Sequence, residues 1–83
     1  MTEYKKVMVT WEDAHTSGGW HIVSDVTDEL TTVYTLGWLI QQTERAVVVA
    51  GGLSESYVLD LHHIPQVLVR EIRYIDLGEL HVR

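Results

Sequence analysis

The sequence predicts a small all-β domain: an SH3-like or Sm-like antiparallel barrel with a 3-10 turn before its last strand. Three observations carry that expectation. Short runs of β-branched and aromatic residues recur with turn signals about every 8–12 residues. Several of the runs alternate in polarity, the period of a strand with one face buried. The 83 residues contain no cysteine, so they allow one core and one domain, residues 1–83, with no disulfide and no thiolate zinc site. A chain this short buries only about 60–65% of its unfolded surface. Tight packing or association must then supply its stability.

The elements follow in order. Val7-Met8-Val9-Thr10-Trp11 reads as a first strand with Val7, Val9 and Trp11 on one face. A polar loop, residues 12–19, ends in Ser17-Gly18-Gly19, where paired glycines permit positive φ or close backbone approach. Trp20-His21-Ile22-Val23 reads as a short strand. Thr27 is placed to cap a helical turn carrying Asp28 and Glu29, with plain loop as the alternative. Residues 31–40 form a strand rich in β-branched and aromatic side chains, with Gly37 marking a bulge or sharp bend. Ala46-Val47-Val48-Val49-Ala50 is apolar throughout, as a strand covered on both faces would be, and it pairs with the preceding strand as a hairpin.

Gly51-Gly52-Leu53-Ser54-Glu55-Ser56 reads as a loop and Tyr57-Val58-Leu59-Asp60-Leu61 as a strand. Pro65 pre-sets φ for a turn and cannot donate to a ladder, so a 3-10 turn follows Ile64. Residues 70–75 alternate and form the last core strand. A helix over residues 64–75 is the competing α+β reading, because Ile64, Val67, Leu68 and Ile75 fall on one helical side. Leu80 and Val82 alternate in the tail and suit one more edge strand, able to join a neighbouring copy. The expected core is Val9, Val33, Leu39, Val47, Val49, Val58 and Ile72.

Charge narrows the partners. Six Lys and Arg stand against twelve Asp and Glu, a net charge of −6. A phosphate backbone is bound by many cations, and here they are few and scattered, so duplex nucleic acid is not an expected partner. A small anion needs only one or two. No apolar run reaches the ~18 residues of a membrane helix, and the N-terminus lacks an apolar signal core. The expectation is a cytoplasmic protein that does not bind membranes.

The Trp11-Glu12-Asp13-Ala14-His15-Thr16-Ser17-Gly18-Gly19-Trp20 segment resembles one found in short proteins of bacteriophages and prophages. The later Leu36-Gly37-Trp38-Leu39-Ile40 and Ala46–Ala50 hairpin, and the Ile64-Pro65 turn before a strand ending at Ile72, are similar in pattern. Some small phage barrels of this kind are counter-defence proteins. They form homo-oligomers and sequester nucleotide-derived immune signals in the host cytoplasm. The resemblance implies such a role, without naming a ligand and without carrying over any binding residue.

The residues themselves point to one candidate site. Trp11 and Trp20 flank Asp13, His15 and Ser17, with Gly18 and Gly19 between. Indoles stack on bases, and glycine amides can meet a phosphate. Asp13, His15 and Ser17 would select sugar or base edge, and Arg70 or Arg73 would hold phosphate through its guanidinium fork. The competing reading makes both indoles core and the glycines a turn. No catalytic constellation is evident: three neighbours in one loop rarely achieve triad geometry. His62-His63 point to opposite faces of a strand, so they do not chelate one metal together. No cofactor is expected. The favoured reading is a homo-oligomeric, non-catalytic binder of a small nucleotide-derived ligand. Its rival is an acidic protein that inhibits a host protein through Glu12, Asp13, Asp25, Asp28 and Glu29. On charge alone, duplex DNA or RNA should give no shifted band in a gel-shift assay at physiological salt; a tight, salt-sensitive complex would contradict this.

Overall fold

The computed structural model describes residues 3–75. The expected tail strand at Leu80 and Val82, with its role in association, lies outside them. Five strands form one antiparallel sheet: β1 (Lys6–Asp13), β2 (Thr31–Gln42), β3 (Ala46–Leu53), β4 (Val58–Pro65) and β5 (Val69–Tyr74). The spatial order is β4-β3-β2-β1-β5, so β1 to β4 form a meander and β5 returns to the free side of β1. β4 and β5 are the two edges and share no ladder. Single 3-10 turns occur at Val23–Asp25 and Gln66–Leu68. Among the described residues no helix is long and apolar enough to cross a membrane.

The alternation of β1 works as its sequence implies. Val7 and Val9 point inward and are fully buried, opposite Gly37 and Thr35 of β2. β3 is covered on both sides: Val47, Val48, Val49 and Ala50 are all buried. Ile64 of β4 sits opposite Val47 and completes the buried cluster. Trp11, Leu39, Val69 and Ile72 pack around it, half-buried. Burying one Val or Ile side chain contributes about 1.5–3 kcal/mol, so this handful of residues supplies most of the driving force.

Gly37 governs how β2 meets β3. A Cβ at this position would stand 2.2 Å from the Ala50 carbonyl oxygen and 2.7 Å from Val49 Cγ1. No side chain fits there, so β2 comes directly against the β3 backbone. The irregularity expected at Gly37 is displaced: the β2–β3 register shifts between Leu39 and Gln41 instead. A second shift lies in the β1–β5 ladder, where Thr10 faces Glu71 but Trp11 faces Val69. Bulges of this kind raise local twist and curl a sheet.

Pro65 settles the choice between turn and helix over residues 64–75. Ile64, preceding a proline, is biased to extended backbone, and Pro65 itself adopts ψ 130°. One 3-10 turn and strand β5 follow, not a helix. Other local expectations are corrected as well. The ladder of β1 and β2 ends at Asp13 opposite Thr31. The segment between joins neither free edge of the sheet, and Trp20-His21-Ile22-Val23 is not a strand. Thr27 caps no helical turn; the 3-10 turn lies earlier, at Val23–Asp25. Gly51 and Gly52 do not open a loop but continue β3 to Leu53. Val58 lies opposite Leu53 beyond the core and is exposed, so it is not a core residue.

The radius of gyration is 16.7 Å, and the principal extents are 56 × 25 × 22 Å. A compact chain of this length would have about 12 Å. The molecule is therefore elongated. Gly37→Ala should destabilise it by about 3 kcal/mol, because backbone rather than a flexible side chain must yield. Thermal unfolding should show a Tm lower by at least ~10 °C. Gly18→Ala, with nothing within 4 Å of the added Cβ, should stay within about 0.5 kcal/mol of the parent. Equal Tm values for the two variants would contradict the packing described.

Candidate functional site

Residues 14–30 form a long connection between β1 and β2, and every one of them is exposed. Seventeen residues exceed the usual loop, and such loops commonly carry function. Two histidines organise this one. His15 Nε2 donates to the Glu29 carbonyl at 3.0 Å, tying the loop's two ends. His21 Nε2 donates to the Gly18 carbonyl at 2.9 Å, closing a small turn. A carbonyl can only accept, so both rings carry hydrogen on Nε2. Inside that turn Gly19 has φ 84°, the left-handed region that glycine enters freely. Among the described residues, the amides of Gly18 and Gly19 have no protein acceptor. Beside them Trp20 is fully exposed.

The two indoles have separate surroundings. Trp11 lies in β1 against the core, and its Nε1–H donates to Thr35 Oγ1 at 2.9 Å. That bond satisfies both polar groups where β1 crosses β2. Trp20 touches no core. Asp13 stands at the foot of the loop, opposite Thr31. Ser17 is exposed, and among the described residues Asp13, His15 and Ser17 share no hydrogen bond.

The arginines proposed to hold phosphate are engaged elsewhere. Arg70 Nε donates to Glu12, and its Nη1 donates to the Val67 carbonyl at 3.0 Å and the Val69 carbonyl at 3.4 Å. It thereby clamps the second 3-10 turn to β1. Arg73 lies 3.6 Å from Glu71, an exposed pair. Such pairs contribute at most about 1 kcal/mol, so Arg73 can be drawn away more readily than Arg70. Among the described residues no group of three or more His, Cys, Asp or Glu is placed to hold a metal.

Comparison with known proteins finds no matching family model, no matching curated protein and no matching solved structure.

Sequence reasoning missed a second concavity. A groove of about 590 Å³ opens beside the β2–β3 turn, lined by Gln41, Thr43, Arg45, Ala46, Val48, His63 and Pro65. The signal for it was the cross-strand row. Gln41 faces Val48, and Val48 faces His63, so a hairpin register correct to one residue would have brought them together. The bulge beyond Leu39 sets that register, and its place is not written in the local residues.

The two indoles should respond differently to truncation. Trp11→Ala removes core contacts and leaves Thr35 without its partner, and should cost about 2–3 kcal/mol in denaturant unfolding. Trp20→Ala should change stability by less than about 0.5 kcal/mol. A large loss for Trp20→Ala would show that the loop packs in a way the structure does not have.

Proposed function

We propose that this protein is a non-catalytic binding protein that captures a small nucleotide-derived ligand as a homo-oligomer, the finer fold being an SH3-like or Sm-like barrel. The observation that carries the reading is Trp20, a fully exposed indole beside two glycine amides with no acceptor in the described residues. An indole in water gains nothing for the fold. Stacked on a base it contributes about 1–3 kcal/mol, while the neighbouring amides suit an anionic oxygen. The resemblance to small phage barrels supports the same role and, with it, a site of action in the host cytoplasm. The strand order and the 3-10 link between β4 and β5 support the barrel.

Association is supported by the sheet. Its two edges carry unpaired backbone groups. The register places Met8 beside Leu36, Trp38 beside Ala50, Ala50 beside Leu61, and Gly52 beside Leu59 on one face. Leu36, Leu59 and Leu61 on that face are exposed. A partner copy would cover them and could bring a second loop to the ligand.

A second reading has its own observation. Ile22, Val23, Val26 and Leu30 are exposed in the same loop as Trp20, among Asp25, Asp28 and Glu29. Exposed apolar residues rimmed by acids also suit a protein partner. In that case the loop would dock on and inhibit a host protein.

One experiment separates these. The purified protein is incubated with cyclic oligonucleotides and ADP-ribose derivatives, and its melting followed. A captured ligand at a hundredfold excess over Kd should stabilise by about 2.7 kcal/mol. It should return with unchanged mass on denaturation, and Trp20→Ala should abolish the shift. A ligand returned chemically altered would make the protein an enzyme. No stabilisation by any nucleotide, with a stoichiometric host protein retained only by wild-type Trp20, would favour the protein-partner reading.

A further inference from the structure

We propose that the groove beside the β2–β3 turn is an anion subsite, in which Arg45 receives the phosphate of a nucleotide. The inference rests on the capture reading above, but the groove lies at the Gln42 end of β2 while the Trp20 loop joins the Thr31 end, so it is a contact separate from the Trp20 stack.

The described residues contain Lys5, Lys6, Arg45, Arg70 and Arg73. Arg70 is held by Glu12 and two carbonyls, and Arg73 is paired with Glu71. Lys6 lies over the Trp38 ring, 4.4 Å from its centroid. Lys5 is exposed and does not line this groove. Arg45 lines a groove, and no carboxylate of the described residues, its neighbour Glu44 included, lies within ion-pair distance of it. In a chain of net charge −6, a guanidinium at a concavity with no carboxylate partner among the described residues is where an anion meets least opposition.

The backbone beneath Arg45 is fixed in advance. Thr43 N–H donates to the Ala46 carbonyl at 2.9 Å, closing the hairpin. Thr43 Oγ1 accepts from the amides of Arg45 at 3.1 Å and Ala46 at 3.2 Å. The Arg45 carbonyl accepts from Gln66 N–H at 3.0 Å, tying the turn to the 3-10 segment. Only the side chain has to be ordered on binding, which limits the entropic cost.

The walls suit a ligand larger than phosphate. Val48 and Pro65 make an apolar floor, and Gln41 and His63 stand on either side of Val48 as polar flanks. The groove, about 590 Å³, is open to solvent, with all of its lining but Ala46 and Val48 exposed, so a ligand would lie along it rather than be enclosed. A guanidinium fork matches two phosphate oxygens, the flat floor matches a sugar or base, and the amide and imidazole supply hydrogen bonds.

The test uses the full ¹⁵N-labelled chain and three probes: 5′-adenosine monophosphate, adenosine and inorganic phosphate. The monophosphate should move the amide resonances of residues 43–48 and 62–66, and adenosine should bind more weakly. Arg45→Gln should retain the parent Tm and weaken monophosphate binding about tenfold or more, with Arg45→Lys between the two. Equal binding of adenosine and the monophosphate would overturn the anion role. If the monophosphate moves only residues 17–20 and Arg45→Gln binds normally, the groove is not the subsite while capture stands. If no probe moves any resonance and no nucleotide in the wider panel stabilises the protein, the inference falls together with the capture reading.

Discussion

The close approach of Gly37 to the Ala50 carbonyl is the constraint on which the rest of the domain depends. It lets β2 lie directly on the backbone of β3. Val47 and Val49 then meet Val7, Val9 and Ile64 in the core, while Val48 and Ala50 are covered on the other side. With no disulfide and so small a core, few other contacts could replace these. The β2–β3 register shift, the groove beside the turn and the 3-10 link to β5 are all positioned by this central pair of strands.

Around that centre the molecule divides by chemistry. The sheet holds the buried valines, the Trp11–Thr35 bond and the Arg70 clamp. Residues 14–30 hold exposed apolar and acidic side chains, and His15 ties the two ends of the segment to each other through the Glu29 carbonyl. Loops supply recognition because a rigid scaffold frees them from packing duties. Here the division falls inside one sequence segment. Trp11 serves the scaffold and Trp20, nine residues on, serves the surface.

Much of the fold was legible because its cause is local. Alternation in β1 marks Val7 and Val9 for one face, and the unbroken valine run marks β3 as covered twice. Proline at 65 ends β4 and starts a turn. What was not legible depends on pairing. The sequence of Trp20-His21-Ile22-Val23 suits a strand, yet β1 already has β2 and β5 on its two sides and offers no further edge. Val58 has core chemistry but lies past the end of the buried rows. At the candidate site the exposed loop could be read from its polar and glycine residues. The engagement of Arg70 with Glu12, 58 positions apart, could not. Nor could the row of Gln41, Val48 and His63, which a shift of one residue in register would disperse.

A small, tightly packed sheet centred on β3 carries a loop that takes no part in the fold. Native-state hydrogen exchange of the ligand-free protein at low concentration tests it directly. The amides of Val47, Val48, Val49 and Ala50 should exchange last, only through global unfolding. Those of residues 16–26 should exchange at rates close to an unfolded chain. Protection in residues 16–26 equal to that of β3 would contradict the claim.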